Sequence, residues 1–397
     1  MSTIKEILKG VEVVWKTLGE VVDLSRGRVM SKEYLAENAG IYPVYSSQTA
    51  NNGEIGKITT FDYDGEFITW TTDGANAGTV FYRMGKFSIT NVCGLIKVKD
   101  VKELNYKFLF YWLSIEAKKH VYFGMGNPKL MSNQIAKIPI PIPHISVQIE
   151  IARILDSFSE LTAELTAELT AELTARKKQY IYYREQLLSF KQNEVEWKKL
   201  AEIAEYSSER INANELDKNN YVGVDNLLQN REGKTISAYV PQSGRHTKYN
   251  VNDILIGNIR PYLKKIWYSD RIGGTNGDVL VIHLKDKNVI SRYLFQILAA
   301  DDFFEYNVRH SKGAKMPRGN KNKIMEYKIP IPSLEEQARI VSILDKFDTL
   351  TNSISEGLPK EIELRKKQYE YYRDLLLTFP SLRAKGEAIQ ETSKKNN

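Results

Sequence analysis

The sequence has 397 residues and a formal net charge of +7, with 42% hydrophobic and 26% charged residues. This length predicts two domains, the composition excludes a disordered chain, and no apolar run has membrane-spanning length. The single cysteine, Cys93, excludes an internal disulfide and a cysteine-based metal site, and the basic excess favours a polyanionic partner.

The first half of the chain begins without the pattern of an export signal, so the cytoplasm is the expected compartment. Residues 12–137 then alternate short apolar runs with turns, as β-strands do. The clearest runs lie at 67–70, 80–82 and 95–98. With an amphipathic helix predicted at about 104–118, they indicate a mixed α+β body. Its Gly- and Asn-rich loops, such as 73–78, are where recognition usually lies.

A long amphipathic helix is predicted after Pro141-Ile142-Pro143, because apolar residues recur there at steps of three and four. From 148 to 189 it would measure roughly 60 Å. A compact domain of this size needs no such helix, so we expect it to pair, antiparallel, with a second long helix. Inside it, the tetrapeptide Thr162-Ala163-Glu164-Leu165 occurs three times in tandem, which is typical of a helix-forming spacer.

The second half repeats this order. Residues 194–326 predict a second mixed body, with a helix at about 290–305. Its strands are predicted at 253–256 and 279–282. A second long helix should begin near residue 334, because the capping-box sequence Ser333-Leu334-Glu335-Glu336 follows a proline-rich segment. Gly357 and Pro359 predict a kink in this helix.

The two halves share a frame, which consists of the segments around Trp15 and Trp197 and the segments 141–190 and 330–379. The residues between these segments, which we call the filling, differ between the halves. Residues 141–190 match 330–379 at 24 of 50 positions without a gap, and Trp15 and Trp197 open the two halves in similar contexts. Such a pattern is expected if the frame holds common partners and the filling recognises different features of an elongated, roughly two-fold partner such as DNA. Residues 7–12 precede Trp15 much as residues 189–192 precede Trp197. We therefore expect residues 7–12 to pack near the end of the second long helix.

The clearest electrostatic feature is the segment 309–323, which carries six basic and no acidic side chains. Such a segment contacts phosphate or forms a solvated loop. A weaker counterpart at 118–129 shares a glycine and a proline with it. The segment 260–265 mixes basic and aromatic residues, as DNA-contacting loops or exposed strand rims do. The candidate DNA-binding residues are Lys118, Lys119, Lys129, Arg260, Lys264, Lys265, Arg309, Lys312, Lys315, Arg318, Lys321 and Lys323.

Two other sets of residues point away from catalysis. The five histidines show no metal-ligand spacing, and no Walker-type phosphate loop is present. The segment 123–130 superficially echoes adenine methyltransferase motifs but joins in one stretch what those enzymes place on separate strands. Duplicated tyrosines near the helix ends are expected to pack between helices or at a protein interface, in preference to the alternative of stacking on DNA bases. They are Tyr180, Tyr182, Tyr183, Tyr369, Tyr371 and Tyr372.

Together these features resemble the specificity subunit of type I restriction-modification enzymes, the HsdS family. The resemblance covers residues 1 to about 380. It rests on the Ile-Pro-Ile-Pro segment before each long helix, Arg-Lys-Lys-Gln-Tyr in both copies, and the tandem, which is similar to that of the type IC subgroup. One departure is Val147, which stands where the second copy has Glu336, so the first helix lacks a capping box.

The resemblance implies an α+β fold with pseudo-two-fold duplication, in which two mixed α/β target-recognition domains are separated by two long antiparallel coiled-coil helices. The expected boundaries are 1–144 for the first target-recognition domain, 145–192 for the first long helix, 193–332 for the second target-recognition domain, 333–379 for the second long helix and 380–397 for a disordered tail.

The resemblance also implies that this chain does no chemistry and binds no cofactor. Each target-recognition domain would read one half of a bipartite, asymmetric sequence in double-stranded DNA. The helices would dock two modification subunits, which bind S-adenosylmethionine and methylate adenine. Restriction subunits would use ATP and Mg to translocate and cleave DNA in the cytoplasm of a bacterium or archaeon. The number of tetrapeptides would set the spacing between half-sites.

Two alternatives of other classes stay open at this point. A self-contained DNA methyltransferase would bind S-adenosylmethionine without partner subunits. A helical scaffold protein with incidental basic loops would keep the same DNA sequence choice after loss of one tetrapeptide.

Overall fold

The computed structural model describes residues 7–124, 126–353 and 356–379. The chain divides into two compact units. The first comprises the residues up to Leu165 and those from Arg365 onward, and the second is Thr166–Leu364. Each unit therefore contains one body with parts of both long helices. The domain boundaries drawn from the sequence remain a prediction, and the predicted tail at 380–397 lies outside the described residues.

The first body combines strands and short helices. Its strands are β1 (Val13–Thr17), β2 (Val22–Arg26), β3 (Ala39–Tyr45), β4 (Glu54–Ile58), β5 (Tyr63–Thr71), β6 (Val80–Ile89), β7 (Cys93–Val98) and β8 (Pro139–Pro143). Its helices are α1 (Leu18–Val21), α2 (Lys32–Glu37), α3 (Tyr106–Glu116) and α4 (Ser132–Ile135), with 3-10 turns at Ala50–Gly53 and Ala117–His120. The predicted strands and the helix near 104–118 are confirmed.

Six of these strands form one sheet in the order β2-β7-β5-β6-β3-β4. The β3–β6 pair is parallel and the other pairs are antiparallel. Helix α3 covers this sheet and buries Phe108 and Leu109 against Ile68 and Trp70 of β5. Burial of these large apolar groups is the main driving force for the body.

The second body follows in the chain after α5 (Ile145–Leu188). Its strands are β9 (Glu196–Lys199), β10 (Ala204–Tyr206), β11 (Arg210–Asn212), β12 (Tyr221–Val222), β13 (Arg245–Tyr249), β14 (Ile254–Gly257), β15 (Ile266–Tyr268), β16 (Gly273–Thr275), β17 (Val279–Leu284) and β18 (Lys328–Ile331). Its helices are α6 (Leu200–Ile203), α7 (Ser291–Leu298), α8 (Asp301–Arg309) and α9 (Lys321–Met325), with 3-10 turns at Ala213–Glu215, Gln229–Arg231 and Pro261–Leu263. The strands form two four-stranded sheets, β10-β17-β14-β15 and β11-β13-β16-β12, and the two-stranded sheet β9-β18. Both strands predicted here and the mixed α+β class are confirmed.

The single helix predicted at 290–305 is wrong, because the structure has two helices, α7 and α8. The break follows from Ala299, whose carbonyl oxygen accepts hydrogen bonds from Arg184 and Arg231 side chains. Asp301 and Asp302 then start α8, where carboxylates favour the positive end of the helix dipole.

The long helix α5 is confirmed, with 44 residues and the tandem inside it. The second long helix is not continuous: it forms α10 (Leu334–Asn352) and α11 (Gly357–Leu376). Gly357 has a φ of +80°, which confirms the predicted kink. The predicted start is also confirmed, because Ser333 Oγ accepts a hydrogen bond from Glu336 N at 3.3 Å.

Several of the duplicated tyrosines pack between helices within each unit, whereas Tyr182 and Tyr371 are exposed. In the first unit, Tyr372 contacts Phe158 at a ring distance of 5.6 Å. In the second unit, Tyr180 and Tyr183 stack on Phe347 at 5.9 and 5.4 Å. Helix packing is therefore confirmed for Tyr180, Tyr183 and Tyr372, while coiled-coil geometry remains a prediction.

The frame joins each body through the same contacts. β1 pairs with β8 so that Trp15 lies opposite Pro141, and β9 pairs with β18 so that Trp197 lies opposite Pro330. In the first unit Ile7 and Leu8 pack into the core that contains Leu376. The N-terminal segment therefore shares a core with the end of the second long helix, while direct packing of the two segments stays a prediction.

A buried glutamine fastens each long helix to its body. Gln148 donates to the carbonyl oxygens of Pro143 and Glu103 at 2.8 Å and accepts from Asn105 N at 2.9 Å. Gln337 makes the same three bonds, to Pro332, Asn288 and Ile290. Both glutamines are fully buried, so both amides have their hydrogen bonds satisfied in the same way.

Candidate nucleic-acid interface

Three loops of the second body meet through backbone hydrogen bonds. Asn258 N donates to Asp278 O at 2.8 Å, Gly319 N donates to Asn258 O at 3.1 Å, and Arg260 N donates to Pro317 O at 2.7 Å. Residues 258–265, 276–278 and 310–319 therefore form one surface, which we name the second loop cluster. The basic segments 260–265 and 309–323 are brought together in it.

The segment 312–318 is a tight hairpin. Lys312 and Arg318 exchange backbone hydrogen bonds of 2.9 and 2.8 Å, and the exposed Lys315 lies between them. Gly313 allows the turn with a φ of +100°. The hairpin thus presents its cations to solvent.

The first body contains the same arrangement. Gly74 N donates to Pro128 O at 3.0 Å, Leu130 N donates to Thr72 O at 2.8 Å, and Tyr122 and Lys129 exchange backbone hydrogen bonds. Thr72 Oγ1 donates to Val92 O at 2.9 Å. We name residues 72–78, 90–93 and 117–130, without Met125, the first loop cluster.

The hydrogen bonds define which residues correspond. Gly74 matches Arg260, Pro128 matches Pro317, and Lys129 matches Arg318. The shared prolines were visible in the sequence, and the hydrogen bonds place them at equivalent positions of the two loop clusters. The side chains differ almost everywhere else, so the two clusters offer different chemistry on a similar scaffold.

Several predicted site residues are engaged within the protein. Lys264 forms an ion pair with Asp301, and Lys265 Nζ donates to Val224 O at 2.7 Å. Lys323 pairs with Glu326, and Lys119 pairs with Glu116, each at 2.7 Å. Arg318 pairs with Asp278 at 2.7 Å but its side chain remains 56% exposed.

The other predicted cations are exposed and form no ion pair with another residue in the described ranges. They are Lys118, Lys129, Arg260, Arg309, Lys312, Lys315 and Lys321. Lys312, Lys315 and Arg260 all belong to the second loop cluster. This cluster is therefore the more cationic of the two.

Asp301 is a residue of this region that sequence reasoning missed. It pairs with Lys264 and also with Arg231, whose side chain is only 12% exposed. Burial acts to raise the pKa of Asp301, but hydrogen bonds from Lys264 and Arg231 lower it overall. Asp301 thus ties the loop at 229–233 to the loop at 260–265. The sequence gave no sign of this role, because an aspartate in the first turn of a helix is common.

A buried arginine supports the first body near its loop cluster. Arg83 donates to Asn52 O at 2.8 Å and to Thr69 Oγ1 at 3.1 Å, and it lies over the Tyr45 ring at 3.6 Å. Burial lowers the pKa of Arg83. The neighbouring loop is joined to the first loop cluster by a 3.2 Å hydrogen bond from Asn76 to Thr49. This role was also not foreseen.

The described part of the chain offers no cluster of three or more His, Cys, Asp or Glu side chains arranged as a metal site. Within the same ranges, no helix combines the length and apolar character needed to cross a bilayer.

Two mixed bodies on a duplicated helical frame, each with converging loops, define a modular recognition protein. The family model described as "Type I restriction modification DNA specificity domain" matches residues 10–175 and 192–364. The chain belongs to this family, whose members are the DNA-recognition subunits of type I restriction-modification systems. The resemblance stated from the sequence is thereby confirmed.

Relatives extend over nearly the whole chain. A putative type I specificity subunit of Mycoplasma pneumoniae is 34% identical over 90% of this chain and 95% of its own. The EcoR124I/EcoR124II specificity subunit of Escherichia coli is 34% identical over 96% of this chain and 98% of its own. A chain from a study of complex assembly and conformational transition in the type I R-M system shares the fold. Its TM-score is 0.61 at 14% identity, with 93% and 97% of the two chains covered.

Proposed function

We propose that this specificity subunit recognises a bipartite, asymmetric sequence in double-stranded DNA, with one half-site for each loop cluster. The observation that carries this proposal is the equivalent backbone scaffold of the two clusters, in which Gly74 and Lys129 correspond to Arg260 and Arg318. A shared scaffold positions two clusters alike, and different side chains on it select different bases.

The partners follow from the same proposal. Two modification subunits dock on the duplicated helices, and restriction subunits join them. S-adenosylmethionine, ATP and Mg act through those subunits and not through this chain, in the cytoplasm. The proposal is supported by the names of the relatives, which are specificity subunits.

The direct test is to map methylated adenines in cells that produce the modification subunits with and without this chain. We expect one bipartite motif that is present only with the chain. A methylation pattern that does not depend on the chain would contradict the proposal. Binding of S-adenosylmethionine by the purified chain alone would favour the self-contained methyltransferase instead.

The hairpin is proposed to contact phosphate. Changing both Lys312 and Lys315 to Gln should weaken binding to every DNA sequence and reduce the slope of log affinity against log salt by about 2, because each lost phosphate contact removes about one released counterion. The measurement is a salt titration of DNA binding by the complex with modification subunits.

Lys287→Gln is the matched control, because Lys287 is exposed in the same body but lies outside the loop cluster. It removes one positive charge from the same body and should leave the salt slope nearly unchanged. An unchanged slope in the double variant would exclude phosphate contacts from Lys312 and Lys315.

A further inference from the structure

The loop at 260–265 contains two non-glycine residues with left-handed backbone. Arg260 has φ +53° and ψ +64°, and Lys264 has φ +51° and ψ +44°. This conformation is unfavourable for a residue with a Cβ atom. It is more unfavourable for Arg260, because the residue before a proline favours an extended backbone. Non-glycine residues in such conformations concentrate at functional sites.

The two residues differ in what their side chains do. Lys264 reaches Asp301, so its position has a structural purpose within the second body. The Arg260 side chain is exposed and forms no ion pair with any described residue. Its counterpart in the first body, Gly74, adopts a comparable left-handed backbone with φ +92°. Glycine would adopt this backbone without strain, which points to a role for the exposed arginine side chain outside the body.

The backbone holds Arg260 rigidly. Its N–H donates to Pro317 O at 2.7 Å and its carbonyl accepts from Leu263 N at 2.9 Å, while Pro261 is buried. Rigid placement matters little for a phosphate contact, which tolerates many geometries. It matters for a bidentate contact to a base edge, which needs two aligned hydrogen bonds.

We propose that Arg260 reads one guanine in the half-site of the second body, by donating two hydrogen bonds to its O6 and N7 atoms. Arginine matches this acceptor pair better than any other base edge. The proposal rests on the proposed function and assigns a base class to one position. The hairpin cations, Lys312 and Lys315, then supply the phosphate contacts that orient it.

The test compares Arg260→Gly and Arg260→Ala in the complex with modification subunits, with binding selected from DNA whose second half-site is randomised. Wild type should prefer guanine at one position, and both variants should lose that preference by roughly 5- to 150-fold. All other positions of the target should stay unchanged. Arg260→Lys should retain only part of the preference, because a lysine makes no bidentate contact.

Thermal unfolding of the full-length variants separates strain from function. Arg260→Gly relieves the left-handed strain and should unfold at a higher temperature than Arg260→Ala, which keeps it. An unchanged base preference in both variants would overturn the assignment, and so would a uniform loss of affinity with a shallower salt slope. In either case wild type would still direct bipartite methylation, so the proposed function would stand. Absence of a chain-dependent motif in wild type would contradict the proposed function itself.

Discussion

At Asp301 a single carboxylate holds two cations from different loops. Arg231 and Lys264 both pair with it, and Arg231 N also donates to Lys264 O at 3.0 Å. The mostly buried Arg231 would keep its charge if the carboxylate were lost. Asp301 therefore positions the loop that carries Arg260.

Asp301→Asn should destabilise the second body by roughly 1–3 kcal/mol at neutral pH, because it leaves a mostly buried arginine without a counter-charge. The pKa of Asp301 is lowered in the folded state. Its stabilisation is therefore fully present above the unfolded pKa of about 4 and is lost as pH falls through the folded value. Urea unfolding at pH 7 and pH 3 measures the difference.

Asp302→Asn is the control, since Asp302 lies beside it in the first turn of α8 and is exposed. This variant should lose only a few tenths of a kcal/mol. Equal destabilisation by the two variants would show that Asp301 acts on the helix dipole and not through Arg231. Neither aspartate stands out in the sequence, because the pairing joins segments about 40 and 70 residues away.

Among the elements, the long helices were the most predictable and the loops the least. Helix starts depend on local patterns, such as Ser333 with Glu336, and these are readable in the sequence. The loop clusters instead meet through backbone groups, such as Gly74 N and Pro128 O, which leave almost no side-chain signature. The division of the predicted 290–305 helix has the same origin, since it depends on arginines from remote segments at the Ala299 carbonyl.

The joint between helix and body can be tested through its buried glutamines. Gln337→Leu leaves Ile290 N and the carbonyl oxygens of Pro332 and Asn288 without their partner, which should reduce the free energy of unfolding by about 2–4 kcal/mol. Gln148→Leu should have an effect of similar size in the first unit. Urea unfolding of each variant measures it.

Gln242→Leu provides the control, because Gln242 is exposed in a loop of the second body. It should change stability by less than about 0.5 kcal/mol. If Gln337→Leu lowered the free energy of unfolding no more than the control does, the duplicated hydrogen bonds would not be what holds the long helix to its body.

At the scale of the whole molecule, the offset between corresponding residues of the two copies is not constant. The long helices match at a constant offset of 189, since Gln148 corresponds to Gln337. Their hydrogen-bonded partners, Asn105 and Ile290, are 185 apart. The bodies therefore differ by insertions and deletions between fixed joints. That is why the sequence revealed the frame but not the equivalence of the loops.

The tandem in α5 contains neither Gln148 nor Gln337, so its length can be changed without altering these residues of the two joints. Its leucines at 165, 169 and 173 are half-buried, and all three repeats are helical. Deleting Thr166–Leu169 should shorten the helix by about 6 Å. That exceeds the rise of about 3.4 Å for one base pair. The half-sites should therefore stay the same while their spacing shrinks by one or two base pairs, as measured by mapping methylated adenines.

Inserting one further Thr-Ala-Glu-Leu repeat should lengthen the spacing between the half-sites by the same amount. This variant controls for non-specific damage to the complex, which would not lengthen the spacing. A scaffold with incidental basic loops would show unchanged DNA sequence choice in both variants. Changed half-sites at constant spacing would contradict the role of the helix as a spacer, because the bodies that carry the loop clusters are untouched by either change. The opposite signs of the two expected shifts make the spacing a direct measure of helix length.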